Sequence, residues 1–125
     1  MGLIALVIIG GLIAGSDIRV IDGDTFEVLS TGERVRIENI DTPEVGGRSE
    51  CRAERQLAAL ATTYAESLFE GAAVEIERQG EDRYGRTLAR VSVDGRDFGE
   101  EMIAGGYAVT WTGRTADWCG ADVDL

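Results

Sequence analysis

The order of the predicted elements is the feature that most constrains the fold of this chain. Five short β-rich segments bounded by turn residues are predicted, at residues 18–21, 25–29, 34–40, 73–77 and 88–93. A longer helix separates the third segment from the fourth, and a shorter helix follows the fifth. This order suits a small closed barrel with helices packed on it. We therefore predict an α+β fold, a five-stranded OB-fold-like β-barrel with two helices.

The first helix is predicted over residues 50–69, with Ser49 as its N-cap and Gly71 as its stop. Asp97 is predicted to cap the second helix, and Glu100 would complete a capping box. Apolar residues at helical spacing form one stripe on the first helix: Ala53, Leu57, Leu60, Ala61, Tyr64 and Leu68. A polar loop is predicted over residues 78–86.

The N-terminal residues 2–15 carry no charge and consist mainly of Leu, Ile, Val, Ala and Gly. This run is shorter than the ~20 apolar residues of a membrane-spanning helix, and its length suits the core of a signal peptide. Residues 14–16 resemble a small-x-small cleavage site. We predict a signal peptide or N-terminal membrane anchor over residues 1–16, a folded domain over 17–125, and a secreted or periplasmic location. A buried first strand is the alternative.

The cysteine content agrees with export. Cys51 and Cys119 are the only cysteines, and an even count in a small exported domain suggests one disulfide. Such a bond would tie the first helix to the C-terminal tail. Two unrelated buried thiols are the alternative.

The chain has no histidine, which excludes a histidine general base and histidine-ligated zinc. A metal ion would have to be held by oxygen ligands, which favours a hard cation. All 12 basic residues are arginines, whose planar fork binds phosphate. The net charge of −11, however, argues against long-range attraction of a nucleic acid.

Three polar segments fall at predicted strand ends and loops, where sites tend to be built: residues 20–25, 36–44 and 82–86. They resemble, in order and spacing, the three signature motifs of the staphylococcal nuclease (thermonuclease) family. The R-x4-DTPE stretch beginning at Arg36 is the most specific of them. The resemblance extends from about Asp17 to Trp111 and implies an SNase-like OB-fold barrel.

The resemblance implies a calcium site. Asp24 and Asp41 would supply carboxylates, Thr42 its backbone carbonyl, and Asp22 would lie in the outer shell. Calcium accepts six to eight oxygen ligands in flexible geometry, so water would complete the site. Taken alone, Asp22-Gly23-Asp24 would be an ordinary turn, but Asp41 makes two converging acidic groups that would repel each other without a cation.

The resemblance also assigns Arg36 and Arg86 to the scissile phosphate, where two guanidinium groups stabilise developing charge. Glu44 would act as the general base or orient the attacking water. Solvent-exposed charges are the alternative for all three. Tyr84, Tyr107 and Trp111 are candidates for substrate stacking, with core or loop packing as the alternative.

The resemblance thus implies a calcium-dependent endonuclease that hydrolyses DNA and RNA to 3′-phosphate and 5′-hydroxyl ends. A monomer is expected, with no obligate protein partner, and with membrane contact only if residues 1–16 are retained. The alternatives are a catalytically weak nucleic-acid-binding module and an acidic calcium-binding protein without a substrate.

Overall fold

The computed structural model describes residues 12–120, which form a curled β-sheet with two α-helices. The strands are β1 Leu12–Ala14, β2 Ile18–Asp22, β3 Thr25–Val28, β4 Arg34–Ile37, β5 Ile40–Asp41, β6 Ala73–Glu81, β7 Thr87–Val93, β8 Arg96–Asp97 and β9 Val109–Thr110. The helices are α1 Arg52–Phe69 and α2 Phe98–Ala104, and short 3-10 turns span Gly15–Asp17 and Gly46–Arg48.

The main sheet has the order β1-β6-β7-β4-β3-β2, with β8 paired to β7, while β5 and β9 form a separate two-stranded ladder. All pairings in the main sheet are antiparallel except the parallel pair of β4 and β7. The five predicted β segments correspond to β2, β3, β4, β6 and β7, but the third was predicted too long: β4 ends at Ile37, and residues 38 and 39 form a turn before β5. The predicted SNase-like OB-type barrel with two helices is confirmed.

One chain segment, residues 12–22, borders both ends of the sheet. Its first part pairs with β6 and its second part with β3. Gly15 lies between these parts and is buried, and its N–H donates to the carbonyl of Ala72 at 2.9 Å. Residues 1–11 lie outside the described residues, whereas the end of the predicted leader, residues 12–16, forms β1 and part of the turn after it. Cleavage after residue 16 would therefore remove strand β1 and its pairing with β6.

Replacing Gly15 by alanine is expected to destabilise the fold by roughly 1–3 kcal/mol, because the added methyl group overpacks a closed site. A Cβ atom there would stand 1.7 Å from the carbonyl oxygen of Phe69. Urea unfolding followed by circular dichroism measures the change. Gly47→Ala is the matched control, since a Cβ at Gly47 meets nothing within 4 Å. Equal stability of the two variants would contradict a close approach at Gly15.

Phe69 joins the two helices to the barrel. Its ring lies 5.1 Å from the Phe26 ring on β3 and 4.7 Å from the Phe98 ring on α2. The buried face of α1 consists of Glu54, Ala58, Ala61, Ala65 and Phe69. Small alanines let the helix backbone approach the sheet closely. The predicted apolar stripe was wrong at Ala53 and Leu60, which are exposed.

The helix ends differ in part from the prediction. Cys51, not Ser49, caps α1, and its sulfur accepts the N–H of Glu54. The Ser49 hydroxyl instead donates to the Gly46 carbonyl at 2.6 Å. Gly71 follows α1 with φ of 70°, as expected of a glycine stop. Asp97 caps α2 by accepting the N–H of Glu100, which confirms that half of the predicted capping box.

The polar loop predicted after residue 77 begins later than expected. Strand β6 continues to Glu81, with a register shift between Arg78 and Gly80. Residues 77–81 are all exposed, so their sequence shows no buried alternation that would mark a strand. Neither helix in residues 12–120 has the length and apolar character needed to cross a membrane.

Candidate active site

The sheet register brings the three polar segments of the sequence to one place. Arg36 on β4 stands opposite Thr25 of β3 on one side and Leu88 of β7 on the other. Asp24 immediately precedes Thr25, and Arg86 comes two residues before Leu88. The parallel pairing of β4 with β7 therefore places the third polar segment beside the first two.

Arg36 lies between two buried carboxylates. Its Nη2 atom is 3.5 Å from Asp24 Oδ2 and 4.0 Å from Asp41 Oδ1. Its Nη1 atom donates to the carbonyl of Ile40 at 2.9 Å and also to the carbonyl of Ile37. The guanidinium is thus held on two sides by β4 and β5, and only 12% of the side chain is exposed. Both acidic groups face a positive charge whose position is fixed.

The Asp24 carboxylate also links the two acidic loops. Its Oδ2 atom accepts the N–H of Thr42 at 3.2 Å, and its Oδ1 atom accepts the Thr25 hydroxyl at 3.0 Å. The N–H of Asp24 donates to Asp22 Oδ1 at 3.1 Å. These contacts hold the turn after β2 against the chain that follows β5.

The Asp41 carboxylate is held by the C-terminal tail. Its Oδ2 atom accepts the N–H of Ala116 at 2.8 Å and the indole N–H of Trp118 at 3.4 Å. Only 2% of the Asp41 side chain is exposed. Cys119, which follows Trp118, forms a disulfide with Cys51, and this confirms the predicted bond. Sequence reasoning missed Trp118, and its only signal was its position beside a paired cysteine.

Glu44 lines the same cleft, and its backbone N–H is held by a hydrogen bond to the Glu54 side chain. The two carboxylate oxygens of Glu54 accept the N–H groups of Glu44 and Glu50, each at 2.8 Å. Glu54 is 4% exposed, so both of these hydrogen bonds are accepted by a buried carboxyl group. Sequence reasoning missed Glu54, because an acidic residue in the first turn of a helix usually needs no further explanation.

A further arginine, Arg48, also missed from sequence, bridges two acidic groups of the cleft. Its Nη2 atom is 3.4 Å from Asp22 Oδ2 and its Nη1 atom is 3.5 Å from Glu44 Oε1. The Arg48 side chain is 60% exposed, so these pairs contribute little to stability. No sequence signal distinguished Arg48 from an ordinary loop arginine.

Arg86 is oriented by Asp82 in the loop between β6 and β7. Asp82 Oδ2 accepts Arg86 Nε at 2.7 Å, and Asp82 Oδ1 accepts the N–H groups of Tyr84 and Arg86. Because Nε is the atom engaged, the two terminal nitrogens of Arg86 have no partner within residues 12–120. The Arg86 guanidinium also lies 5.6 Å from the Tyr84 ring centre.

Two of the three predicted aromatic residues line the cleft. Tyr84 is 71% exposed, and Trp111 stacks on Arg36 with the guanidinium carbon 5.4 Å from its ring centre. Tyr107 is not brought to the cleft. Its ring lies 5.1 Å from the Tyr64 ring and packs against the hydrophobic core.

The cleft has a volume of about 520 Å³ and collects most of the predicted site residues. Its charged lining consists of Asp22, Asp24, Arg36, Glu38, Asp41, Glu44, Arg48, Asp82, Arg83 and Arg86. Six acidic groups against four arginines leave the cleft negative overall. A phosphate group would meet net repulsion there unless a cation were also bound.

The atoms beside Arg36 that could ligate a metal ion are oxygens, the type of ligand that a hard divalent cation prefers. Asp22, Asp24 and Asp41 are buried carboxylates, and the hydroxyl oxygen of buried Thr42 has no hydrogen-bond partner within the described part of the chain. Both cysteines are consumed by the disulfide, so these donors are oxygen only. The carboxylates of Asp24 and Asp41 flank the Arg36 guanidinium, and Asp22 and Thr42 are each linked to Asp24 by a hydrogen bond.

The pKa values of the acidic residues are those expected of an anionic cleft. Burial, followed by the Asp24 charge, raises the pKa of Asp22. Burial likewise raises the pKa of Asp41, although the Ala116 N–H opposes the shift. For Glu44, burial again raises the pKa and outweighs the effect of Arg48.

These shifts predict that the metal-free protein becomes more stable as the pH falls from about 7 to about 5. A carboxyl whose pKa is higher in the folded state than in the unfolded state binds protons preferentially in the folded state. Its unfavourable contribution is therefore relieved on acidification. Melting temperatures in the presence of a chelator measure this trend. A saturating divalent cation should flatten the trend, whereas a metal-free melting temperature that falls over the same pH range would contradict the prediction.

The three carboxyls with lowered pKa, those of Glu33, Asp82 and Asp117, do not oppose this trend. A hydrogen bond from Arg78 lowers the pKa of Glu33. Burial tends to raise the pKa of Asp82, but hydrogen bonds from Arg86 lower it overall. The stabilisation from such groups is lost only as the pH falls through their depressed values, which lie below the range of the measurement.

Comparisons with known proteins agree with these features. A family model described as "Staphylococcal nuclease homologue" matches residues 34–119. An uncharacterized endonuclease of Escherichia coli is 34% identical over 99 residues, covering 77% of this chain and 60% of the relative. A thermonuclease of Staphylococcus intermedius is 35% identical over 92 residues, covering 72% of this chain and 55% of the relative.

A micrococcal nuclease of Shigella flexneri is 39% identical over 79 residues, covering 62% of this chain and 41% of the relative. The chain thus spans between about two fifths and three fifths of the length of these relatives. The part matched by the family model includes β4, both helices and the disulfide.

Proposed function

Because the chain belongs to the staphylococcal nuclease family, we propose that it is an endonuclease that hydrolyses phosphodiester bonds in DNA and RNA with calcium as its cofactor. One observation carries this proposal. The cleft presents a fixed arginine between two buried carboxylates, and a loop glutamate and a second oriented arginine line its walls. A divalent-metal site of the kind expected in this family would explain why Asp24 and Asp41 are both buried beside Arg36. Binding of a phosphate group would explain the positions of Arg36 and Arg86.

Calcium would be held by Asp24 and Asp41, with the Thr42 backbone carbonyl, and Asp22 would lie in the outer shell. When bound, the ion neutralises the acidic pair and polarises a phosphoryl oxygen. Calcium is proposed over a transition metal because the atoms beside Arg36 that could ligate a metal ion are all oxygens. The carboxylates alone leave the cleft negative, which is why phosphate binding should depend on the cation.

Arg36 and Arg86 would bind the non-bridging oxygens of the scissile phosphate. Arg36 reaches the cleft from the centre of the sheet and is held by two backbone carbonyls, so little reorganisation is needed when charge gathers on the phosphate. Arg86 is tethered through Nε, which leaves its terminal nitrogens available for a planar, forked contact. Positioning and electrostatics of this kind supply most of the catalysis in phosphoryl transfer.

Glu44 would take the proton of the attacking water. Its side chain is 31% exposed and lines the cleft, while its backbone is anchored on Glu54. Burial raises the pKa of Glu44, which makes its carboxylate a better proton acceptor. Attack in line with the 5′ oxygen would break the P–O5′ bond and leave a 3′-phosphate and a 5′-hydroxyl. Trp111 and Tyr84 flank the cleft, where they can stack on bases of any sequence.

The disulfide supports a location outside the cytoplasm, because disulfides persist mainly in oxidising compartments. We extend the proposal to a secreted or periplasmic nuclease. Its net charge of −11 provides no long-range attraction for nucleic acid, so capture of substrate should be slow and depend on the cleft itself.

The same net charge favours a second candidate, a binding module of this fold that recognises a nucleic acid or calcium without cleaving. A binding module would not need a general base, so the fixed position of the Glu44 backbone argues against this candidate. A cleavage assay with the full chain separates the two candidates.

Single-stranded DNA and RNA should be cut by the full chain in calcium and not in excess chelator. Restoring calcium to the chelated sample should restore cleavage, which excludes damage by the chelator. Calcium binding without cleavage of either substrate, in a folded preparation, would favour the binding module.

A further inference from the structure

The Cys51–Cys119 disulfide lies at a junction between two supports of the cleft. Cys51 is the N-cap of α1, and its sulfur accepts the N–H of Glu54 at 3.3 Å. The two sulfurs and a Glu54 carboxylate oxygen all lie within 4.8 Å of one another. The cross-link between the tail and α1 therefore lies next to Glu54.

On the tail side, the bond fixes the groups that hold Asp41. Trp118 precedes Cys119 and donates its indole N–H to Asp41, as Ala116 does with its backbone N–H. Residues 111–120 contain no helix or strand, and the preceding β9 pairs with β5 over two residues only. The disulfide is consequently the main covalent restraint on the segment that holds Asp41.

On the helix side, the bond fixes the start of α1, where Glu54 supports the loop of Glu44. Glu54 is buried, and its carboxylate holds the loop by the N–H groups of Glu44 and Glu50. The disulfide therefore links the two supports. Its Cys119 end adjoins the tail that holds Asp41, and its Cys51 end adjoins Glu54, which holds the loop of Glu44.

The barrel itself does not depend on the cross-link in this way. The buried hydrophobic core of the described residues ends along the chain at Ala108, before the tail begins. Loss of the bond would therefore release the tail while leaving the core contacts in place.

Building on the nuclease function proposed above, we propose that the Cys51–Cys119 disulfide is a redox-sensitive positioning element, whose reduction switches the cleft to a state with weak calcium affinity and slow cleavage. A dithiol supplies two electrons and two protons, the S–S bond breaks to give two thiols, and the dithiol becomes a cyclic disulfide. Trp118 and Glu54 are positioning residues that transmit the change to Asp41 and to the Glu44 loop.

The test compares the full chain before and after reduction with dithiothreitol. Calorimetry gives the calcium affinity without substrate, cleavage of single-stranded DNA gives kcat and KM, and circular dichroism reports the fold. Calcium affinity should fall about tenfold on reduction, as for other losses of support around a metal ligand, with kcat falling at least as much. The Cys51→Ser/Cys119→Ser double variant is the control. It should match the reduced protein and should not respond to dithiothreitol.

If reduction unfolds the chain, a second variant tests whether the tail supports calcium binding through Asp41. Trp118→Phe keeps the disulfide and the ring but removes the N–H that Asp41 accepts. It should weaken calcium binding several-fold, since one of two tail donors is lost. Tyr64→Phe, which removes a polar hydrogen from an aromatic side chain outside the cleft, should leave calcium affinity unchanged.

The inference is overturned if the reduced, folded protein binds calcium and cleaves as the oxidised protein does, or if Trp118→Phe has no effect where reduction unfolds the chain. Absence of cleavage by the oxidised protein counts against the proposed function, and the calcium affinities then decide the inference alone. Equal affinity of the two redox states, or no binding in either, overturns it.

Discussion

Substitution of Arg36 by lysine should lower kcat by about 10³-fold or more while leaving the protein folded, which is the largest effect we expect from a conservative change. Lysine keeps the positive charge but offers a single compact ammonium group. Arg36 uses one terminal nitrogen to hold the carbonyls of Ile37 and Ile40 and directs the other toward Asp24 and Asp41. A lysine cannot meet both sets of partners and also bind a phosphoryl oxygen.

Single-turnover cleavage of a short labelled oligonucleotide measures this loss without contribution from product release. Arg34→Lys is the matched control, because Arg34 lies on the same strand two residues earlier and is exposed. It should cleave at close to the unsubstituted rate. If Arg36→Lys cleaved within tenfold of the control, Arg36 would act only as a counter-ion and the proposed phosphate contact would be wrong.

Substitution of Glu44 by glutamine should lower kcat by about 10²- to 10³-fold, the usual contribution of a general base. Glutamine has nearly the shape of glutamate but cannot take a proton from water. The backbone contact with Glu54 involves the N–H of residue 44 and would survive the change. Calcium affinity should therefore stay within a few-fold, because Glu44 is not among the residues proposed to hold the ion.

The control for Glu44 is Glu50→Gln, an exposed residue of the same loop whose backbone N–H is also held by Glu54. It makes the same change of charge outside the cleft and should cleave normally. A pH–rate profile adds a second readout, since the acidic limb assigned to Glu44 should disappear in Glu44→Gln. Persistence of that limb would assign the proton transfer to another group.

The sequence was sufficient to predict the barrel because its strands are marked by β-branched residues and by turns at both ends. The parallel pairing of β4 with β7 could not be deduced from local patterns, and this pairing is what sets Arg86 beside Arg36. Strand β1 also escaped prediction, because an uncharged apolar run reads equally as a leader segment or as a buried strand.

Within the cleft, the residues carrying polar motifs were predictable, and the residues that hold them were not. Asp24 and Asp41 stand at the ends of strands, and Arg36 is a charged residue between two buried apolar residues of β4. Glu54 lies on a helix face with an ordinary charge pattern, and Trp118 lies in a segment without periodic structure. Their partners are 10 and 77 positions away, so only the folded chain reveals them.

Tyr107 illustrates a limit of motif spacing. An aromatic residue near the end of the matched region suits base stacking and core packing equally well. Its environment depends on where α2 ends and on the direction in which the chain leaves the helix. In the structure the ring faces Tyr64, and Trp111 four residues later stands over Arg36 instead.

The most direct measurement of the central claim is cleavage of single-stranded DNA by the full chain in ¹⁸O-labelled water with calcium, followed by mass analysis of the product ends. Water attack at phosphorus with departure of the 5′ oxygen predicts one ¹⁸O atom in each new 3′-phosphate and an unlabelled 5′-hydroxyl. Label in a 5′-phosphate, or no calcium-dependent product at all, would contradict the mechanism proposed for this cleft.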